Sequence, residues 1–186
     1  MPRASAHALT YRRPVVGICL RATILFLIAV TFLSARAAAG NPPDTSTFIA
    51  RVAASSVFEI ESSKLALERS QDAAVRDFAE QMVADHETAS ARLKEALAEV
   101  QLKEPPFALD AKHKEIYDQL GTRSGGNFNK AYIEAQFEAH KEAVEMFEAY
   151  AAGGDNPRVK RFAEHLLPTL RLHLVHISKL WKSGSP

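Results

Sequence analysis

The sequence predicts an all-α protein in which four long helices and one short helix form a bundle. Apolar residues recur at three- and four-residue steps through four long stretches, a spacing that places them on one face of a helix. Prolines, glycines and helix-capping residues separate these stretches. After the N-terminal segment, no run of alternating polar and apolar residues predicts a β-strand. Four amphipathic helices bury their apolar faces most simply against one another, as a helical bundle.

The helix boundaries follow from local start and stop signals. Asp44 or Ser46 can cap the first helix, because either side chain accepts hydrogen bonds from free backbone N–H groups. Pro105-Pro106 stops the second long helix, and Asn156-Pro157 begins the last one. Pro168 is expected to bend that last helix. The predicted helices cover residues 47–69, 73–101, 110–120, 127–152 and 157–182.

The connections between helices restrict the topology. Only a few residues join the first long helix to the second, and the third to the fourth, so each pair should be antiparallel. Residues 102–127 separate the two pairs, and this length fits either a local excursion or a long crossover along the bundle. The spacing leaves both topologies open. Asn127 or Asn129 is expected to cap the helix that follows the turn at Gly125-Gly126.

Residues 1–39 have the order of a secretory signal peptide. They contain five arginines and no acidic residue, then the apolar run Ile24–Leu33, then small residues ending at Ala39. We therefore predict export with cleavage near Ala39. The alternative is an uncleaved membrane anchor, because residues 14–35 approach the length that spans a bilayer. The rest of the chain is expected to divide into a flexible leader, a bundle domain and a tail, over residues 40–46, 47–182 and 183–186.

Charge and cysteine content restrict the function. Removal of residues 1–39 takes five of the 23 basic residues, which leaves 18 against 22 acidic residues and a net charge of about −4. This balance gives no indication of nucleic-acid binding, and we expect no stable insertion of the mature domain into a membrane. Cys19, the single cysteine, leaves with the signal peptide. A metal site in the mature domain must therefore use nitrogen and oxygen ligands.

Four ionisable side chains interrupt the apolar faces of the long helices, one on each helix. His140, for example, follows Ile133 and Phe137 on its predicted inward face. Each of the four lies near the middle of its helix, so they can converge at one depth in the bundle. Burial of such groups costs free energy unless they pair, form hydrogen bonds or bind a metal. The four residues are Glu59, His86, His140 and His173.

These residues are compatible with two kinds of core. One is a mononuclear site, in which three imidazoles and a carboxylate bind zinc, copper, iron or manganese. The other is a metal-free hydrogen-bond network that fixes helix register in an envelope scaffold or interaction protein. Asp85 points about 100° around the helix from His86 and can accept a ring proton from a neighbouring histidine. His176 flanks its inward face, and His113 and His165 are expected at the surface.

Four longer segments, one in each long helix, resemble a known family. They are FIARVAASSVFEIESSKLALERS, VRDFAEQMVADHETASARL, FNKAYIEAQFEAHKEAVEMFE and VKRFAEHLLPTLRLHL. With the signal peptide, they resemble the exported bacterial ferritin-like family catalogued as domain-of-unknown-function 4142, over about residues 47–182. The resemblance implies a ferritin-like bundle with a long crossover after the second helix, and residence in the periplasm. It implies no particular activity. The family's recurring polar residues correspond to Glu59, Asp85, His86, His140 and His173.

The sequence departs from the iron-oxidising ferritin-like enzymes at their ligand motif. Those enzymes combine carboxylates with two Glu-x-x-His motifs to hold two metal ions. Here the residues three positions before His86, His140 and His173 are Val83, Phe137 and Leu170. We therefore expect one bound ion rather than a di-iron pair.

Overall fold

The computed structural model describes residues 42–184, and this range contains five α-helices and no β-strand. The predicted signal peptide lies outside the described residues. None of the helices in residues 42–184 combines the length and the apolar character needed to cross a membrane. The helices are α1 (Thr45–Arg69), α2 (Ala73–Glu99), α3 (Ala111–Gly121), α4 (Gly125–Gly153) and α5 (Pro157–Ser183).

Side-chain caps determine where four of the helices begin. Asp44, Asp72 and Asp110 each accept a hydrogen bond from the backbone N–H three residues later, at 2.9, 3.0 and 2.9 Å. The side chain of Asn156 accepts two such bonds at the start of α5. Each cap satisfies N–H groups that have no partner within the helix. Of the two caps predicted for α1, Asp44 is the one used.

The predicted start of α4 is wrong. This helix begins at Gly125 rather than after Asn127 or Asn129, and Ser124 stands at the cap position without a side-chain hydrogen bond. Gly125 has a φ of +55°, which residues with a side chain rarely adopt. The glycine pair therefore starts the helix, although its composition predicts a turn.

α2 ends two residues earlier than predicted, and α5 is continuous through its internal proline. Gln101 has a φ of 54°, and the N–H of Leu102 returns to the carbonyl of Leu97 at 3.0 Å. A left-handed residue and a returning hydrogen bond are the usual end of an α-helix. α5 contains Pro168 but continues through it as one helix to Ser183.

Contacts at the helix ends establish the ferritin-like topology. The guanidinium of Arg69, at the end of α1, donates to the carbonyls of Gly121 and Arg123 at 2.7 and 2.9 Å, just before α4 begins. At the other end, the hydroxyl of Thr45 bonds the hydroxyl of Tyr150, where α1 begins and α4 finishes. The segment that carries α3 therefore runs the length of the bundle. This confirms the long crossover implied by the family resemblance.

Candidate metal centre

The four predicted site residues occupy one polar layer across the middle of the bundle. Two buried apolar clusters lie on either side of this layer. Along each long helix, the buried residues of one cluster end before the polar position and those of the other begin after it. On α2, for example, Met82 belongs to one cluster and Leu93 to the other. The residues of the layer are each at most 7% exposed: Glu59, His86, His140 and His173.

Three of the four side chains form a compact group. The ring centroid of His86 lies 5.8 Å from that of His140 and 5.8 Å from that of His173. The centroids of His140 and His173 are 5.4 Å apart. Each residue can offer one ring nitrogen so that all three nitrogens lie within 4.8 Å of one another. We call His86, His140 and His173 the histidine triad.

Hydrogen bonds identify the ring nitrogens that can bind a ligand. Nδ1–H of His140 donates to the backbone carbonyl of Gln136 at 2.9 Å, so its Nε2 keeps the lone pair. Nε2–H of His173 donates to Oδ2 of Asp85 at 2.8 Å, which leaves Nδ1. These two nitrogens and both nitrogens of His86 are buried without a hydrogen-bond partner among residues 42–184. Each triad member therefore offers a lone pair that no described protein group uses.

Burial keeps the imidazoles uncharged. It lowers the pKa of His140 to about 3, and the carbonyl of Gln136 opposes this shift only in part. Burial and the two neighbouring imidazoles hold the pKa of His86 well below its ordinary value. The pKa of His173 is also lowered by burial, against the opposing effect of Asp85. Neutral imidazole is the form that binds metal ions.

The structure places Glu59 beside the triad rather than within it. Its Oε1 lies 3.8 Å from Nδ1 of His140, the nitrogen already bonded to Gln136, while Nε2 is the one with a free lone pair. Burial raises the pKa of Glu59 to about 8, so the carboxyl is mostly protonated at neutral pH. Its Oε2 is buried without a hydrogen-bond partner among the described residues. Glu59 therefore shares the polar layer with the triad but makes no hydrogen bond to its rings.

Sequence analysis missed a polar group beside Glu59. Gln136 is fully buried, and its Nε2 donates to the buried hydroxyl of Ser62 at 3.0 Å. Phe137, which was predicted to point inward, is instead half-buried and stacks on the half-exposed Trp181 with centroids 4.9 Å apart. Adjacent residues differ by about 100° around a helix. The orientation of α4 therefore buries Gln136 fully while Phe137 packs at the edge of the core. The signal that could have revealed Gln136 is its position one turn before His140.

The donor set suits a transition-metal ion. Imidazole nitrogen binds zinc, copper and iron well, whereas manganese prefers oxygen ligands, so a triad without Glu59 favours the first three. Tetrahedral zinc with bonds of about 2.0–2.1 Å needs nitrogens about 3.3 Å apart. The triad nitrogens lie within 4.8 Å of one another, so binding requires the rings to approach by up to about 1.5 Å. Rotation about side-chain bonds can provide such a shift.

Asp85 positions His173, and its substitution tests that role. Asp85→Asn removes the charge that holds Nε2–H and orients the ring, so we expect metal affinity to fall about 10- to 100-fold. Titration of the protein with Co²⁺, followed by absorption, measures this change. Asp77→Asn, on the exposed face of the same helix, is the matched control and should leave the affinity unchanged. Equal affinity for both variants would contradict the positioning role.

The remaining histidines of the described range lie outside the triad. His165 is exposed, as predicted. His113 is not at the surface as predicted: its side chain is 12% exposed, bonds Asp110 at 2.8 Å and packs on Phe58. The cause is that the crossover helix lies against α1, which sequence spacing does not reveal. His176 is partly exposed and bonds Gln81.

The fold and the histidine triad define a ferritin-like helical bundle with a candidate metal centre. The chain belongs to the family described as Domain of unknown function (DUF4142), whose profile matches residues 31–180. A crystal structure of a DUF305 fragment from Deinococcus radiodurans has a similar fold, with a TM-score of 0.64 and 18% identity. That match covers 76% of this chain and 99% of the fragment. No curated protein matches the chain.

Proposed function

We propose that the protein is an exported, periplasmic bundle that binds one divalent transition-metal ion through His86, His140 and His173. The observation that carries the proposal is the set of buried ring nitrogens that have no hydrogen-bond partner within residues 42–184. Burial of a polar atom without a hydrogen bond costs about 1–3 kcal/mol of folding free energy. Each of the three triad rings has such an atom, so this cost arises at every member of the triad. A bound ion removes it, because each lone pair then has a positive charge to bind.

The same observation weighs against a metal-free scaffold, the rival interpretation of these residues. A structural network stabilises a core when every member is satisfied. His86 instead has two buried nitrogens with no hydrogen bond to any described residue. A divalent ion would also supply positive charge near Glu59, a charge that no residue within 42–184 provides to its carboxyl. Ionised Glu59 would then act as a charge partner of the ion beside the triad.

The proposed role is metal handling in the periplasm. Copper or iron in the triad would extend that role to oxidative-stress chemistry, because both metals change oxidation state. The export half of the proposal rests on the basic, apolar and small-residue order of residues 1–39.

Metal content is the direct test. The full chain is expressed with its own N-terminal segment and without a histidine tag, and the protein is purified from the periplasmic fraction. We expect about one transition-metal ion per chain by elemental mass spectrometry. His165→Ala, which removes an exposed histidine of α5, should retain the same content. An absence of metal, with no uptake from dilute zinc, copper or iron, would contradict the proposal and favour the scaffold.

Treatment with a chelator is a second test that distinguishes metal binding from the metal-free scaffold. An ion present at 100 times its dissociation constant stabilises the folded state by about 2.7 kcal/mol, so chelator should lower the melting temperature by several degrees. The effect should reverse when the metal is restored. A melting temperature that does not respond to chelator or to added metal would support the scaffold.

A further inference from the structure

A row of polar side chains between α2 and α5 connects the buried triad to the protein surface. Oδ2 of Asp85 accepts hydrogen bonds from His173 at 2.8 Å and from Nε2 of Gln81 at 3.4 Å. Oε1 of Gln81 accepts a bond from Nδ1 of His176 at 3.3 Å. We call Gln81, Asp85 and His176 the access cluster. Three hydrogen bonds connect the imidazole of His176, through Gln81 and Asp85, to His173 of the triad.

Exposure changes steeply along this row. The side chain of His173 is 1% exposed and that of Asp85 is 40% exposed. Gln81 is exposed and His176 is partly exposed. Among the described residues, the other two triad members have no hydrogen-bonded connection to the surface. His140 donates to a backbone carbonyl, and His86 makes no hydrogen bond. The access cluster is therefore the polar route from solvent to the triad that the hydrogen bonds of residues 42–184 define.

The chemistry of the cluster suits a passing cation. A carboxylate oxygen, an amide oxygen and an imidazole nitrogen are all metal ligands. Because Nδ1 of His176 is bonded to Gln81, its Nε2 keeps a lone pair for an ion. The ring is also held in place, since Phe78 packs against it edge to face with centroids 5.2 Å apart. The negative charge of Asp85 attracts a dication, and its carboxylate oxygens can replace part of the ion's hydration shell.

We propose that Gln81, Asp85 and His176 form the route by which a divalent transition-metal ion enters and leaves the histidine triad. This inference rests on the proposed function, because it needs an ion in the triad. The ion exchanges water for the side chains of the access cluster and then passes the His173 ring into the core. No covalent bond forms or breaks in this sequence; metal–water, metal–ligand and hydrogen bonds are exchanged.

An access route has a kinetic signature that a ligand lacks. It lowers the barrier between free and bound ion, so its loss slows association and dissociation by the same factor and leaves their ratio unchanged. The test uses the full chain and Co²⁺ in a stopped-flow experiment, with the variants Gln81→Leu and His176→Leu. We expect both rate constants to fall several-fold and by the same factor in the combined variant, with the dissociation constant unchanged. Asp85 is left intact because it also positions His173.

Controls keep this test distinct from the test of the metal site. His165→Leu changes an exposed histidine of α5 outside the cluster and should leave both rates unchanged. Co²⁺ binding by the wild type with unaltered rates in the Gln81 and His176 variants would overturn the access route alone. A larger dissociation constant with a normal association rate would show that His176 is a ligand of the bound ion. That result would also overturn the access route. No Co²⁺ binding by the wild type would overturn both proposals.

Discussion

A protein carrying both His86→Leu and His140→Leu is expected to bind no transition-metal ion, whereas the wild type binds one. The two substitutions remove two of the three nitrogens that lie within 4.8 Å of one another. The remaining imidazole of His173 is a single ligand, and one imidazole binds an ion too weakly to retain it in dilute solution. Equilibrium dialysis against zinc, with metal measured on both sides of the membrane, gives the stoichiometry. Retention of one zinc ion by the double variant would contradict the histidine triad as the site.

The metal-free form of His86→Leu should be at least as stable as metal-free wild type. Leucine has a similar size and leaves no buried polar atom, whereas each unpartnered ring nitrogen of His86 costs about 1–3 kcal/mol. Urea unfolding in the presence of chelator measures the free energy of unfolding of both proteins. Ser63→Ala is the contrasting variant, because the Ser63 hydroxyl bonds Tyr132 at 2.8 Å and its loss leaves that partner unsatisfied. A loss of several kcal/mol in His86→Leu would indicate a structural network.

Metal binding should persist into mildly acidic solution. Three imidazoles with an ordinary pKa near 6.5 would lose about a thousandfold in affinity between pH 7.5 and 5.5, because protons compete for each nitrogen. Here burial lowers the pKa of all three histidines, that of His140 to about 3. Protons therefore compete little in this range, and we expect the affinity for Co²⁺ to fall less than tenfold.

The same pKa shifts determine how the stability of the metal-free protein depends on pH. Between about pH 3 and 6.5 the unfolded chain binds a proton at His140 that the folded chain does not, so the stability from this group falls as pH falls. Glu59 acts in the opposite direction: its contribution is present below about pH 4.5 and is lost as pH rises through about 8. The other two triad histidines act in the same direction as His140. Acid should therefore destabilise the metal-free protein below neutral pH.

Co²⁺ titrations at pH 7.5, 6.5 and 5.5 test the binding prediction. A peptide with three exposed histidines provides the reference for ordinary imidazoles. Parallel urea unfolding of the chelated protein at the same pH values tests the stability prediction. A thousandfold loss of Co²⁺ affinity by pH 5.5 would show that the triad imidazoles titrate as exposed groups do.

The sequence predicted the helices well because their signals are local. Apolar spacing and capping residues act within a few positions, and Asp44 and Asn156 begin helices as expected. The errors arose where a local signal had two meanings. Gly125-Gly126 has the composition of a turn, yet its conformational freedom also lets a helix begin there. The path of the crossover came from the family resemblance, because the length of residues 102–127 fits two topologies.

The sequence by itself determined that the protein is all-α and that one polar residue of each long helix lies at mid-depth in the core. The period of 3.6 residues is a property of each helix alone, so Glu59, His86, His140 and His173 could be found without knowing their neighbours. Tertiary structure decided which of them form the triad and which nitrogens they offer. Helix rotation and side-chain rotamers depend on packing between helices distant in sequence. That packing buries Gln136 fully and leaves Phe137 partly buried, and it sets Glu59 against the Nδ1 side of His140.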